Sequence, residues 1–572
     1  MKKLVLGEIP GDFDFNSHIA ITPMCFSKNP EKEYELKYHY FVDPCPTYDQ
    51  IEKYDKIVAE EAIGLVKYFA KKFNPNIYYS FSNNFWKTIY FPTLYIVISV
   101  IRKHILVLDE IKKKYINETL QVDIIENANF YFESIENLWS NFDILLQEKI
   151  FSYLIECNTP ENFYINKKSI SNDTSLNISS ETKLNYKSLI LKSMDSIFHR
   201  SKRGYGINLA CNIYLHLLLS FKKSIKYKPV NFESELKNGE SMFDSRILDL
   251  ITALIPEDEK NITQLISKLN KKKFRKGKIS LVSNTLFYSL YDKIFSALKL
   301  ENKEIVVSVQ HGGHSYGSAK TLEFIKNIEF SVSGFFSWGW NEINGVKIKN
   351  IIKIDSPFLS LFIKKYRNNV SSNKFILVGT IMPITFPRFE CNLASYKDCL
   401  QYRDNKIIFL DLLNKSTIGA DVYYRPYAEK KYSFKDLDFC LKKIANLNVL
   451  SENLHEELLR CKLLILDHPG TTWNLAYSSN IPTILFWNPN HFILSNEAKD
   501  WLLKLKNARL YFENPKEAAE FILKNEISTW WYSPEIQEIR KEWVNVFARS
   551  NTKWLKSWTN TLLKLDDRTF IK

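Results

Sequence analysis

The sequence predicts an α/β protein of two parallel-sheet units facing a cleft, with extra helices in the N-terminal half. Three observations point there. From residue 279 onward, short apolar runs alternate with helical stretches, the pattern of parallel strands joined by helices on both faces of a sheet. A mostly polar stretch at 369–373 splits that alternation in two. The 572 residues suffice for two or three domains with sizeable cores.

The chain opens with a buried-strand pattern at 3–6, closed by Gly7 and Glu8. Residues 47–75 carry Ile51, Tyr54, Val58, Ala62 and Val66 at helical spacing. Residues 85–115 also read as helix, broken near Pro92, and 134–157 as another. A Ser-, Asn- and Thr-rich stretch at 158–186 reads as a loop or joint. Helices follow at 188–197, 208–222 and 244–255. Strands then fall at 279–282, 304–309, 330–336 and 351–354, with a helix at 286–298. Beyond the polar linker, strands at 375–378, 407–410, 422–424, 463–466 and 483–486 alternate with helices at 393–402, 433–444, 453–460 and 473–478. Two Rossmann-like domains meeting near residue 370 follow from this: 1–370, with a helical insertion, and 371–533. Residues 534–572 set Trp543, Trp554 and Trp558 at roughly helical spacing. This segment is expected to pack back on the N-terminal domain, with contact at a membrane surface as the alternative.

The composition, 45% hydrophobic and 25% charged, is that of an ordinary globular protein. A net charge of +14 favours an acidic partner, such as a nucleotide, an anionic glycan or a lipid headgroup. The densest basic run, 271–278, has no zinc-finger, basic-zipper or aromatic RNA-binding signature around it, so no nucleic-acid partner is expected. None of the eight cysteines forms a Cys-x-x-Cys pair, which argues against a zinc site or a disulfide framework. Asp12-Phe13-Asp14 and Asp436-Leu437-Asp438 close no strand of a nucleotide-binding unit. No metal and no cofactor are therefore expected. The apolar run after Met1-Lys2-Lys3 is too short for a signal peptide, and no run reaches membrane-spanning length. The expected location is the cytoplasm, with peripheral contact at the inner face of the membrane as the alternative.

The sharpest motif is Asp467-His468-Pro469-Gly470-Thr471-Thr472, between a buried strand and a helix start. Free amides, hydroxyls and the helix dipole make such a junction a phosphate site. The bland reading is that Thr471 or Thr472 only caps the helix. A second strand runs into Gln310-His311-Gly312-Gly313, followed by His314 and Tyr316. Glycines there let the backbone approach a ligand, and His311 can move a proton. Arg425, at a strand end before Pro426, can clamp a phosphate or a sugar carboxylate, or form a surface ion pair. Gly379-Thr380, closing the strand at 375–378, joins the same donor-binding set. Trp338-Gly339-Trp340 reads as a structural turn. Glu8, just after the first strand, stands where a catalytic base could face the cleft. Asp12, Asp14 and His18 lie nearby, and nothing distinguishes them.

These residues resemble a family of bacterial surface-carbohydrate transferases found in lipopolysaccharide and capsule gene clusters. The resemblance is patchy and covers most of the chain. It is carried by Lys37-Tyr38-His39-Tyr40, Phe85-Trp86-Lys87, Pro92-Thr93-Leu94 and Arg102. Better matches are Gln310 to Gly313 with Tyr316-Gly317, residues 335–340, Tyr424-Arg425-Pro426-Tyr427, and Asp467 with Thr471-Thr472. That family looks like the two-domain GT-B fold of glycosyltransferases. Many GT-B enzymes carry a ribose-binding Glu on the helix after the Thr pair, where this chain has Asn474. His468-Pro469 resembles the His-Pro that binds the CMP phosphate in several transferases of CMP-activated sugars.

The resemblance implies a metal-independent glycosyltransferase using a nucleotide-activated donor, first a CMP-linked ulosonic acid such as Kdo or a sialic-acid-like sugar. The acceptor would be a surface polysaccharide, a lipopolysaccharide or a lipid-linked glycan. Glu8 and His311 are the catalytic candidates. Gln310, Gly312, Gly313, Gly379, Thr380, Arg425 and Asp467 to Thr472 are the donor-binding ones. Two rivals stand beside it: a CDP-polyol phosphotransferase of teichoic-acid type, and a non-catalytic polysaccharide assembly protein.

Overall fold

The computed structural model describes residues 1–169, 211, 214, 215, 218 and 243–565. Within these spans it leaves out 34, 38–40, 44, 46, 272–278, 284, 314–315, 344, 349, 364–371, 385–386, 391, 394 and 432. The expected helix at 188–197, most of that at 208–222, most of the basic run at 271–278, residues 369–371 of the polar linker, residues 38–40 and His314 lie outside the described residues.

Among the described residues, three parallel sheets organise the chain. The first contains β1 (Lys2–Val5), β2 (His18–Ala20), β3 (Leu120–Ile125) and β4 (Phe163–Lys168), in the order β2-β1-β3-β4. The second contains β5 (Ser280–Val282), β6 (Val306–Val309), β7 (Gly334–Ser337) and β10 (Ile351–Lys353), in the order β10-β7-β6-β5. A hairpin of β8 (Glu342–Ile343) and β9 (Val346–Lys347) stands apart from it. The third contains β11 (Phe375–Val378), β12 (Val422–Arg425), β13 (Asn448–Val449), β14 (Leu463–Leu466), β15 (Thr483–Phe486) and β16 (Tyr511–Phe512). Its order is β13-β12-β11-β14-β15-β16. The α/β class matches the expectation; the N-terminal half differs in holding two separate sheets. β4 lies inside the stretch read as a loop. It is an edge strand with mostly exposed or half-buried residues, so it lacks the apolar signal of a buried strand.

Three helices also differ from expectation. Residues 407–410 are not a strand but part of the helix Tyr396–Asn414, which starts at a capping box of Ser395 and Asp398. That helix buries Cys399, Tyr402, Arg403, Lys406, Phe409, Leu410 and Leu413, a 3.6-residue period that overrides the short apolar run. The helix Asn83–Lys114 runs through Pro92 without interruption. Packing of Tyr90, Phe91, Leu94 and Tyr95, all fully buried, outweighs the roughly 3 kcal/mol penalty of an interior proline. By length and composition it could cross a membrane, and 78% of its most apolar window is buried inside the protein. The stretch 134–157 is two helices, Ile135–Ser140 and Ile144–Cys157, each with its own N-cap, Ser134 and Asp143.

The C-terminal segment links the two halves. In the helix Pro534–Phe547, Trp543 stacks on Trp473 at 3.9 Å, and Arg540 donates to the Tyr477 carbonyl at 2.6 Å. The helix Trp554–Lys564 then lies on the second sheet: Trp558 packs edge-on to Phe336 and its Nε1 donates to the Asp355 carbonyl at 2.8 Å. Its tryptophans are buried in the protein, so they offer no face to a membrane. Gly339 makes this crossing possible. Its φ is +118°, and a Cβ there would lie 2.6 Å from the Asn545 carbonyl.

Candidate functional site

Parallel α/β sheets bind ligands at the carboxyl ends of their strands. Here the ends of three adjacent strands, β12, β11 and β14, open on a cavity of about 560 Å³. β11 contributes Gly379 and Thr380, β12 contributes Arg425, and β14 leads to His468, Pro469, Gly470, Thr471 and Thr472; all eight line the cavity. Arg425 is anchored by a bond from Nη1 to the Leu450 carbonyl at 2.8 Å.

The helix Thr471–Ser478 begins at this cavity. Its N-cap is Gly470, in extended conformation, and no side chain caps it. Thr471 is therefore the first helical residue and not a cap. Its Oγ1 accepts instead from the Gly313 N–H, at 3.0 Å and across 158 residues of sequence. The two Gly-rich turns that the sequence singled out thus meet at one point. Gly313 is needed for the approach: a Cβ there would sit 2.5 Å from Asn474 Nδ2 and 3.0 Å from the Gly470 carbonyl. A Cβ on Gly312 would lie 3.1 Å from Thr471 Oγ1. The buried Asn474 amide lies against this seam and does not line the cavity.

Asp467 lies behind the cavity wall. Its Oδ1 is 2.9 Å from His468 Nδ1, and its Oδ2 is 3.7 Å from Lys406 Nζ. Lys406 is fully buried; it donates to Asp436 at 2.6 Å and to the Tyr424 hydroxyl at 3.0 Å. Burial pulls the Lys406 pKa down, but Asp436 and Asp467 together outweigh it and leave the ammonium above its ordinary range. Asp467 thereby orients His468, leaving Nε2 beside Gly470, where an added Cβ would lie 3.4 Å away.

The remaining candidates fall elsewhere. Gln310 is not a ligand-binding group, because its side chain is consumed inside the second sheet. Nε2 donates to the Gly312 carbonyl at 2.7 Å, and Oε1 accepts from Trp338 N and Trp340 Nε1 at 2.8 and 2.9 Å. Trp338 and Trp340 are structural, as expected. Glu8 is exposed, paired with Lys28 at 2.8 Å, and absent from the cavity lining. Asp14 binds its own turn through Asn16 and Ser17, and Asp436 serves the buried lysine. His311 is partly buried beside the seam, with Nδ1 3.1 Å from the Tyr316 hydroxyl. Burial, and then the charge of Arg388, push its pKa down to about 4.

Sequence reasoning missed Arg388, Glu390, Lys430 and Trp139, which also line the cavity. Arg388 pairs with Glu390 and lies over the Trp139 and Phe324 rings, at 5.6 and 4.7 Å. Arg388-Phe389-Glu390 lies in the irregular stretch beyond the end of β11 at Val378, and no strand end or spacing marks it. Trp139 comes from the N-terminal half and carries no local signal at all. Among the described residues, no group of three or more His, Cys, Asp or Glu side chains could hold a metal ion.

Fold and site define an α/β protein with a basic, helix-floored cavity at the junction of its halves. The chain belongs to the LIC12162 family of transferases, whose model matches residues 2–562. No curated protein matches it. Among solved structures it is similar to Acinetobacter baumannii MurG, with 10% identity and a TM-score of 0.28 over 48% of this chain and 71% of that one. It is also similar to a Thermobaculum terrenum O-GlcNAc transferase mutant, with 9% identity and a TM-score of 0.31 over 96% and 90%. Likenesses this slight carry no argument about this chain.

Proposed function

We propose that this transferase moves a sugar from a nucleotide-activated donor to a surface-glycan or lipid-linked glycan acceptor, in a GT-B-like arrangement. One observation carries the reading: the uncapped start of the helix Thr471–Ser478, its first hydroxyl tied sideways to Gly313, opens into a cavity that Arg425 and His468 also line. Amides and a dipole so exposed favour a phosphate. Arg425 and His468 add charge-assisted contacts where negative charge grows on the leaving nucleotide. The His468-Pro469 pair at this junction supports a CMP-linked ulosonic acid as donor. Transfer proceeds without a metal, the helix start and the basic groups supplying the charge. Glu8 is exposed and paired with Lys28, whereas His311 belongs to the turn that Gly313 ties to Thr471, so His311 is the base, in a protein working in the cytoplasm or at the inner face of the membrane.

The test is thermal shift with CMP, CDP, UDP and GDP on wild type and His468→Ala. A nucleotide that binds the folded state raises its melting temperature. Loss of a charge-assisted contact costs about 1.5–3 kcal/mol, roughly ten-fold or more in affinity. The ligand-free melting temperature falls as well, because the buried Asp467 loses its His468 partner, so the readout is the nucleotide-induced shift of each protein above its own ligand-free value. If no nucleotide stabilises the wild type, or if the variant binds as well as wild type, this assignment fails.

A further inference from the structure

Behind His311 lies a buried chain of groups that the sequence did not reveal. The Tyr316 hydroxyl stands between His311 Nδ1, at 3.1 Å, and Glu329 Oε1, at 2.5 Å. Glu329 Oε2 accepts from Ser308 Oγ at 3.3 Å. Glu329 is fully buried and Tyr316 nearly so, while a quarter of the His311 side chain is exposed. Two residues after His311, the Gly313 N–H donates to Thr471 Oγ1 at 3.0 Å, which ties the His311 turn to the helix start that lines the cavity. His311 itself stands behind that turn and is not among the lining residues.

A phenol has one proton to donate. When Glu329 is a carboxylate it must accept that proton, and Tyr316 has none left for His311. His311 can then bond to Tyr316 only by donating from Nδ1–H, which leaves Nε2 as a bare proton acceptor. When Glu329 is protonated the chain reverses. Glu329 donates to Tyr316, Tyr316 donates to Nδ1, and the ring proton sits on Nε2. We infer that Tyr316 and Glu329 are positioning residues that set the His311 tautomer, and that His311 is a base at Nε2 only while Glu329 is ionised. Resting on the transfer reading above, His311 Nε2 takes the acceptor hydroxyl's proton as that oxygen bonds to the anomeric carbon. The anomeric C–O bond breaks, and its electron pair leaves with the nucleotide phosphate.

The charges around the chain set its working range. Burial raises the Glu329 pKa to about 7, against the lowering effect of Tyr316, Ser308 and Arg388. Tyr288 is the other titratable neighbour of Tyr316. His311 itself, held down to about 4, stays neutral across the range in which Glu329 titrates. The switch near pH 7 therefore belongs to Glu329 and reaches the imidazole only as a tautomer.

The deciding measurement needs no substrate. Nitrogen-15 NMR of histidine-labelled protein, with the signal assigned by His311→Ala, reports which ring nitrogen carries the proton. The expected result is Nδ1–H near pH 8 and Nε2–H near pH 6 in wild type, and no exchange between them in Tyr316→Phe or Glu329→Gln. Carbethoxylation by diethyl pyrocarbonate, read by mass spectrometry, should slow at His311 by roughly ten-fold between those two pH values, following the ionised fraction of Glu329, and the variants should lose this difference. One tautomer at both pH values in wild type, or a switch that persists in either variant, overturns the inference. Both substitutions are near-isosteric, and a melting curve for each confirms folding. His311→Ala should still be stabilised by CMP. A wild type that does not respond to CMP counts against the transfer reading alone, because the tautomer result stands without it.

Discussion

Replacing Lys406 by Met tests the support beneath the cavity. The side chain is fully buried, 2.6 Å from Asp436 and 3.7 Å from Asp467. At an effective dielectric of 20, a pair near 4 Å interacts by roughly 4 kcal/mol, and Lys406 makes two such pairs. Much of that is offset by desolvation, so the informative quantity is the cost of removing one partner. Losing the cation leaves two carboxylates buried without it, a change that costs about 3–5 kcal/mol. Methionine fills nearly the same volume, so a cavity adds little. Urea unfolding followed by tryptophan fluorescence measures the loss. In Lys406→Met with Asp436→Asn, one stranded carboxylate is gone, and about 1–2 kcal/mol should return as coupling between the sites. Asp467 orients His468, so Lys406→Met should also weaken the CMP-induced thermal shift. A cost below about 1 kcal/mol, or strictly additive single and double substitutions, would refute the view that Lys406 neutralises this cluster.

Other outcomes follow from the same geometry. Gly313→Ala should displace the seam, because the added methyl meets the Gly470 carbonyl at 3.0 Å; overpacking of about 1–3 kcal/mol and a lost CMP response are expected in thermal shift. Trp558→Ala should cost about 3–5 kcal/mol in urea unfolding, since the ring is fully buried against the second sheet. His104 is held neutral by burial, its pKa lowered from 6.5 to about 4. A depressed histidine stabilises the fold above pH 6.5, and that contribution is lost as pH falls toward 4, by roughly 3 kcal/mol at about 1.4 kcal/mol per pH unit. His104→Gln should flatten this part of the stability–pH curve relative to wild type. Turnover should persist in EDTA; complete loss restored by magnesium or manganese would contradict metal-free transfer.

The sequence by itself determined the third sheet best. β11 and β14 are continuous apolar runs closed by polar or turn residues, and a strand buried on both faces writes that pattern into its own residues. The turns after β6 and β14 were legible for a related reason: glycine and threonine at strand ends are local chemistry. Of the first sheet only β1 was legible; the polar edge strand β4 was missed because it gains its place from β3 and not from its own composition. The run at 407–410 was misread because four apolar residues fit either a strand or one turn of a buried helix. What only the tertiary structure decided is which groups meet. Gln310 and His311 are adjacent, yet one is consumed by two tryptophans and the other reaches Glu329 through Tyr316. Arg388 and Trp139 come to one cavity from opposite halves. Periodicity reports whether a residue is buried, since burial repeats with the local backbone geometry. It cannot report a partner, because hydrogen bonds and ion pairs form across the fold between residues that share no local pattern.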